Sequence, residues 1–290
     1  MKLRDAIKEA QSRLEESGVP EADFDARALA AHVLGLRLSQ LAVQQERLLT
    51  GEEMAALDTL ATARGRREPL QYLLGTTEFY GREFICDPRA LIPRPDTEAL
   101  IDVSLELIGD LGLSVVADLG TGGGVIAITL AAEFRELEVF ATDTSEAALE
   151  LAAENVARHR VKSRVALMHG PWLTPLIDAG AAKRVQMIVS NPPYIRDDEF
   201  DGLMPEITEH EPREALVDRE PDGMGAYRAI ITQASSLPNL RAAAFEVGEG
   251  QAIAVADLMR EALGAREIII RKDLGRIDRV VAAVLGIGEQ

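Results

Sequence analysis

The sequence predicts an α/β protein in which a mostly parallel sheet, covered by helices on both faces, follows a small all-helical segment. Two patterns lead there. From Val115 onward, short apolar runs alternate with stretches of helical periodicity, the mark of repeated strand–helix–strand units. Ahead of Gly75 only the helical period occurs, so that part is expected to lie outside the sheet.

The elements follow in order. Leu3, Ile7, Ala10 and Leu14 recur at helical spacing, as do Ala26, Leu29, Ala30, Val33 and Leu34. Gly18-Val19-Pro20 and Gly35 interrupt the run, and Thr50-Gly51-Glu52-Glu53 reads as a helix start with acids in its first turn. A bundle of about four or five helices ending near Leu74-Gly75 accounts for this region. Residues 76–86 alternate around Gly81 and read as a β-hairpin. Pro88, Pro93 and Pro95 mark an ordered loop before a helix at 96–108. Strands are then expected at 115–119, 138–142, 164–168, 185–190, 242–247, 267–271 and 279–285, and helices at 125–134, 145–160, 225–236 and 251–263.

Composition narrows the class. The chain has 290 residues and a net charge of −17, with 47% hydrophobic and 27% charged residues, which is ordinary for a globular protein. Cys86 is the single cysteine, so an internal disulfide and a Cys-based zinc site are excluded. His32, His159, His169 and His210 lack metal-ligand spacing, and no metal is expected. The first residues carry scattered charges, unlike a secretory signal. The longest apolar region, 115–132, is broken by Asp118 and glycines and reads as strand–loop–helix rather than a membrane span. A cytoplasmic enzyme with no membrane association is the expectation. Residues 195–222 hold 11 acids and 3 arginines, either a solvated face or a rim that attracts a basic partner. Such a rim disfavours nucleic acid, which demands Lys and Arg against its phosphates.

Two constellations carry chemistry. Asp118-Leu119-Gly120-Thr121-Gly122-Gly123-Gly124 lies between a strand and its helix, where glycines permit a tight turn and close approach of backbone to a ligand. The next strand ends in Ala141-Thr142-Asp143, and an acid there can accept both ribose hydroxyls of an adenosyl group. Those two features suit a dinucleotide as well as S-adenosyl-L-methionine (SAM). The second constellation, Asn191-Pro192-Pro193-Tyr194, sits at the carboxyl end of the 185–190 strand. Two prolines cannot donate N–H groups and hold φ near −65°. The loop therefore offers carbonyl acceptors, one Asn amide and one aromatic face, a set suited to a planar –NH2 group.

Together these residues resemble the class I SAM-dependent methyltransferases that act on amide or amine nitrogen. Leu91-Ile92-Pro93-Arg94-Pro95-Asp96-Thr97-Glu98, Glu211-Pro212 with Ala215-Leu216, Asp222-Gly223-Met224 and Glu246-Val247-Gly248 narrow the resemblance to the PrmC/HemK family, over essentially the whole chain. The resemblance implies a Rossmann-like seven-stranded sheet with a small N-terminal helical bundle joined by a β-hairpin. The corresponding parts are 1–75 for substrate recognition, 76–90 as hairpin linker and 91–290 as catalytic domain. It further implies methylation of the side-chain nitrogen (N5) of the glutamine in the Gly-Gly-Gln motif of peptide chain release factors. SAM is then the methyl donor and S-adenosyl-L-homocysteine the product, in a monomeric enzyme.

By the same resemblance Gly120, Thr121, Gly122, Gly123 and Gly124 lie against the methionine part of SAM, Asp143 holds the ribose, Trp172 lies beside the adenine, and Asn191 borders the cofactor. Asn191, Pro192, Pro193 and Tyr194 take the substrate amide, with Asn191, Pro192 and Tyr194 as the catalytic set. The family usually has Asp before that Trp, where this chain has Pro171, and Ser or Thr where it has Gly123. No strong general base adjoins the tetrapeptide, so positioning of the amide nitrogen is the expected mechanism. A ribosomal-protein glutamine is the alternative substrate. DNA N6-adenine methylation, which uses the same tetrapeptide on a flipped base, is disfavoured by the negative charge.

Overall fold

The computed structural model describes residues 1–273 and 275–286. The chain begins with helices α1 (Leu3–Glu16), α2 (Ala22–Leu34), α3 (Leu38–Leu41), α4 (Gly51–Gly65) and α5 (Leu70–Leu74). A hairpin of β1 (Thr76–Phe79) and β2 (Arg82–Ile85) follows, turning through Tyr80 and Gly81, both at positive φ as a tight two-residue turn requires. Next come α6 (Glu98–Leu111), β3 (Val115–Leu119), α7 (Val125–Glu133), β4 (Glu138–Asp143), α8 (Glu146–Arg158), β5 (Val165–His169), α9 (Thr174–Asp178) and β6 (Met187–Ser190). The last stretch contains α10 (Asp197–Phe200), α11 (Pro205–His210), α12 (Gly225–Ala234), β7 (Ala242–Glu246), α13 (Ala252–Leu263), β8 (Ala265–Lys272) and β9 (Asp278–Leu285).

Two compact units result: Met1–Thr77 together with Leu203–Glu211, and the rest of the chain. In the first, Leu3, Ala6, Ala10 and Leu14 of α1 pack with Ala26, Leu29 and Ala30 of α2 and Leu57 and Ala61 of α4. The helix start expected at Thr50 is present as a reciprocal cap: Glu53 N–H donates to Thr50 Oγ1 at 3.1 Å, and Thr50 N–H donates to Glu53 Oε2 at 2.9 Å. Helix α11 belongs to this unit. Its Glu206 is buried and accepts hydrogen bonds from Arg64 Nη2 at 2.8 Å and from Arg67 Nε at 2.8 Å and Nη2 at 2.5 Å. Arg64 Nε also donates to the buried Asp25 Oδ2 at 2.7 Å. Burial opposes the Glu206 charge, but the Arg67 and Arg64 hydrogen bonds outweigh it and hold its carboxyl below the usual range.

The second unit is built on a seven-stranded sheet in the order β5-β4-β3-β6-β7-β9-β8. The first five strands are parallel; β9 runs antiparallel to β7 and β8 antiparallel to β9. Both faces are covered, which is why the inner strands read as unbroken apolar runs. Along β3, Val116 joins the layer formed with α6 and α7, while Val115, Ala117 and Leu119 join the layer formed with α12 and α13. Each fully buried Val or Leu side chain here contributes roughly 1.5–3 kcal/mol. Two elements start two residues later than expected. A 3-10 turn at Pro95–Thr97 precedes α6, its first N–H removed by proline, and another at Ala182–Arg184 delays β6 to Met187.

Candidate active site

The sheet reverses its winding between β3 and β6, and ligand crevices open at the carboxyl ends of strands at such a point. Register pairs Asp118 with Val189, so Gly120 and Asn191 leave neighbouring strands at nearly the same level. Ser190 Oγ donates to the Leu119 carbonyl at 2.5 Å and ties the two strand ends together.

On the β3 side the glycine turn has a conformational reason. Gly120, Gly122 and Gly124 stand at φ of 74°, 53° and 84°, and a Cβ on Gly124 would come within 3.1 Å of Ile128 and 3.2 Å of Ala152. Gly123 has no positive φ, and a Cβ there would meet Leu151 at 3.5 Å, an ordinary contact, so the backbone does not demand glycine at this position. Thr121 Oγ1 donates to Asp118 Oδ2 at 2.6 Å, and Ala127 N–H donates to the same oxygen at 3.1 Å. Asp118 Oδ1 is buried without a protein partner. Burial raises the Asp118 carboxyl to about 7, partly offset by Thr121 and Ala127.

At the end of β4, Asp143 accepts Gly122 N–H on Oδ2 at 2.8 Å and Ser145 N–H on Oδ1 at 2.9 Å. Burial pushes its carboxyl up, and these N–H groups pull against that shift. With the Thr144 N–H also against it, the carboxylate still keeps acceptor capacity for a further donor. Trp172 stands at φ 50°, and its carbonyl accepts the Thr142 hydroxyl at 2.9 Å. A Cβ on Gly120 would lie 3.5 Å from Trp172 Cζ3, so the indole borders the turn. The fold thus gathers Gly120 to Gly124, Asp143 and Trp172 at one end of β3, β4 and the loop after β5.

On the β6 side Asn191-Pro192-Pro193-Tyr194 is held by residues distant in sequence. Asn191 Nδ2 donates to Thr97 Oγ1 at 3.3 Å, and the Tyr194 hydroxyl donates to Glu246 Oε1 at 3.3 Å. Thr97 Oγ1 in turn donates to Glu246 Oε2 at 2.6 Å. Gln251 Nε2 donates to the Tyr194 carbonyl at 3.2 Å and to the Gly223 carbonyl at 3.2 Å. A Cβ on Gly223 would lie 2.6 Å from the Tyr194 carbonyl oxygen, and one on Gly248 would lie 3.0 Å from Tyr194 Cδ2. Ile195 N–H donates to the Leu216 carbonyl at 3.0 Å. The short motifs around Thr97, Leu216, Gly223 and Glu246 therefore share one physical task, shaping the tetrapeptide.

Glu246 is 1% exposed. Burial raises its carboxyl to about 7, against the lowering effects of Thr97, Arg279 and Tyr194. Burial and the neighbouring Glu246 charge raise the Tyr194 phenol, so it stays protonated. The acidic stretch after the tetrapeptide is only partly a solvated face. Glu206, Glu211 and Asp218 are buried, and Asp218 accepts Gly225 N–H at 3.1 Å and Ala226 N–H at 2.7 Å at the start of α12. The sequence alone assigns no role to Asp118, Thr97, Glu246, Gln251 or Ser190. Thr97 and Glu246 stand inside short motifs, but nothing in a linear pattern says that they meet. Among the described residues no cluster of His, Cys, Asp or Glu is arranged to hold a metal ion, and no helix is long and apolar enough to cross a membrane.

The chain matches known proteins over nearly its full length. Residues 5–75 fit the model of the PrmC N-terminal domain, and residues 102–215 fit that of the methyltransferase small domain. A release factor glutamine methyltransferase of Cereibacter sphaeroides is 39% identical over 98% of this chain and 99% of that protein. The corresponding proteins of Bacillus anthracis and Geobacter sulfurreducens are 35% and 37% identical, each over 98% of this chain, covering 99% and 97% of those proteins. Among solved structures, the catalytic domain of human METTL16 with an RNA hairpin superposes with a TM-score of 0.58 at 17% identity, covering 83% of this chain and 84% of that one. The N-terminal domain of METTL16 in complex with SAH gives 0.53 at 18% identity, covering 88% and 94%. At such identities the likeness is one of fold, the class I SAM-dependent methyltransferase fold.

Proposed function

The chain belongs to the release factor glutamine methyltransferase family, and from that premise we propose that it methylates N5 of the Gly-Gly-Gln glutamine in peptide chain release factors. SAM is the methyl donor. When bound, it supplies an electrophilic methyl group on a sulfonium. The residues at β3 and β4 suit it. The glycine turn leaves room for close approach, Asp143 retains acceptor capacity for ribose hydroxyls, and Trp172 offers an apolar face for adenine. The unpartnered Asp118 Oδ1 suits the ammonium of the methionine end.

The observation that carries the substrate reading is the tethering of Asn191 and Tyr194 through Thr97 and Glu246. With its Nδ2 spent on Thr97, Asn191 has its amide oxygen to offer, and the Pro192 carbonyl supplies a second acceptor. These take the two N–H groups of the glutamine amide and aim its nitrogen, while the Tyr194 ring packs on the amide plane. The nitrogen gains positive charge as the N–C bond forms, and both acceptors stabilise that charge. Alignment of reactants contributes roughly 7–11 kcal/mol in well-ordered sites. Tyr194, with its raised phenol, does not take the proton; the methylated amide loses it to water afterwards. S-adenosyl-L-homocysteine remains.

Residues 1–75 serve as the recognition domain, 76–90 as the linker and 91–290 as the catalytic domain. The enzyme acts as a cytoplasmic monomer away from membranes, and its charge of −17 disfavours nucleic acid as a substrate. Incubation with methyl-labelled SAM and either purified release factor or DNA, followed by mass spectrometry, tests the reading. Label on the Gly-Gly-Gln glutamine is expected; label on DNA, or none on that glutamine, overturns it.

A further inference from the structure

Glu246, buried at the end of β7, holds the tetrapeptide at both ends, Tyr194 directly and Asn191 through Thr97. We propose that Glu246, acting through Thr97 and Tyr194, is a positioning residue that keeps the Asn191 amide oxygen turned toward the substrate amide. The inference rests on the proposed transfer to glutamine, since it concerns how the acceptor is aimed.

Hydrogen-bond polarity carries the argument. An ionised carboxylate only accepts, and a threonine hydroxyl has a single hydrogen. Thr97 donates that hydrogen to Glu246 Oε2 at 2.6 Å. Its oxygen can then only accept, so the edge of Asn191 that faces it at 3.3 Å must be the –NH2 edge. The amide is planar, and its oxygen therefore points away from Thr97. Glu246 Oε1 meanwhile accepts the Tyr194 hydroxyl at 3.3 Å, so one buried carboxylate sets both the first and last residues of the tetrapeptide.

The device is proton-sensitive. The groups facing Glu246 are Thr97, Tyr194, Arg279 and Asp96, and the Tyr227 hydroxyl donates to the Glu246 backbone carbonyl at 2.9 Å. Burial places the carboxyl's pKa at about 7. A protonated Glu246 can donate to Thr97, which frees the Thr97 hydrogen to point at Asn191. The oxygen edge of Asn191 then suits Thr97, and the aimed acceptor is lost. Activity should rise as pH climbs through the Glu246 pKa.

The full-length enzyme is assayed for methyl transfer to purified release factor from about pH 6 to about pH 9, with kcat, KM and SAM affinity measured separately. Wild type is expected to show an acid limb in kcat near about 7. Glu246→Gln, whose carbonyl oxygen still accepts from Thr97 and cannot ionise, should lose that limb. Thr97→Val should lower kcat on the order of tenfold with SAM affinity unchanged, and Thr97→Ser should restore it. An acid limb that persists in Glu246→Gln overturns the inference, as does a Thr97→Val variant with wild-type kcat, or Val and Ser variants equally impaired. Wild-type enzyme that leaves the glutamine unmethylated overturns the function itself and this inference with it.

Discussion

Ser190 Oγ lies 2.5 Å from the Leu119 carbonyl oxygen, so the last residue of β6 is fastened to the last residue of β3. The glycine turn and the tetrapeptide begin on the next residues of the two strands. Ser190→Ala should cost about 1 kcal/mol of stability, a typical net value for one hydrogen bond. It should also lower kcat/KM, because the two halves of the crevice lose their common anchor. Chemical denaturation beside steady-state kinetics measures both, and an unchanged kcat/KM would remove the anchor from the mechanism.

Asn191→Ala removes an acceptor used for aiming and leaves the β3 and β4 residues untouched. Transfer should be abolished while SAM still binds, as calorimetry with SAM and a label-incorporation assay can establish together. Substantial residual turnover would sink the positioning mechanism.

Asp118→Asn should move binding and stability in opposite directions. The Asn carbonyl can still accept from Thr121 and Ala127, but its –NH2 then replaces the unpartnered Oδ1. Affinity for SAM should fall roughly ten- to a hundredfold, the range for a hydrogen bond to a charged group. The folded carboxyl titrates near about 7, above its ordinary 3.8, so the unfolded chain holds fewer protons between those values and wild-type stability declines as pH rises across them. The variant, freed of that charge, should melt higher than wild type at pH 8 and show less decline. Melting curves at several pH values provide the check; a variant that melts lower at every pH contradicts it.

Arg64→Ala strips a partner from both Asp25 and Glu206. Breaking a buried ion pair from one side costs about 3–5 kcal/mol. The Glu206 carboxyl sits below its ordinary 4.5 in the folded protein, so its contribution is present above that pH and is lost as pH falls through the lowered value. Acid should therefore destabilise the wild type more steeply than the variant in this region. Urea titrations at neutral and acidic pH distinguish the outcomes.

Much of the architecture can be read along the chain because its cause is local. Buried runs such as 115–119, closed by glycine, stand out as inner strands, and Leu3, Ala10 and Leu14 announce a helix face. The acidic stretch resisted reading for the opposite reason. Helices α10 and α11 are each little more than one turn long and lack apolar periodicity, and Glu206 is buried by arginines 139 and 142 residues away. At the site, the glycine turn and tetrapeptide declared themselves through backbone chemistry that only Gly and Pro permit. Thr97 and Glu246 did not, since their meeting spans 149 residues and depends on where β7 is laid in the sheet.

The membership of Leu203–Glu211 in the helical unit has a practical meaning for anyone dividing this protein. The chain does not pass from one body to the other once; it goes out, comes back for nine residues, and leaves again. Cutting after the hairpin would not release an intact catalytic half, because Glu206 would travel with it and leave both arginines behind. An isolated bundle would likewise carry Arg64 and Arg67 with no carboxylate from α11 to receive them. A boundary drawn once along the chain misplaces the strip just past the tetrapeptide, which is a structural member of the helical portion.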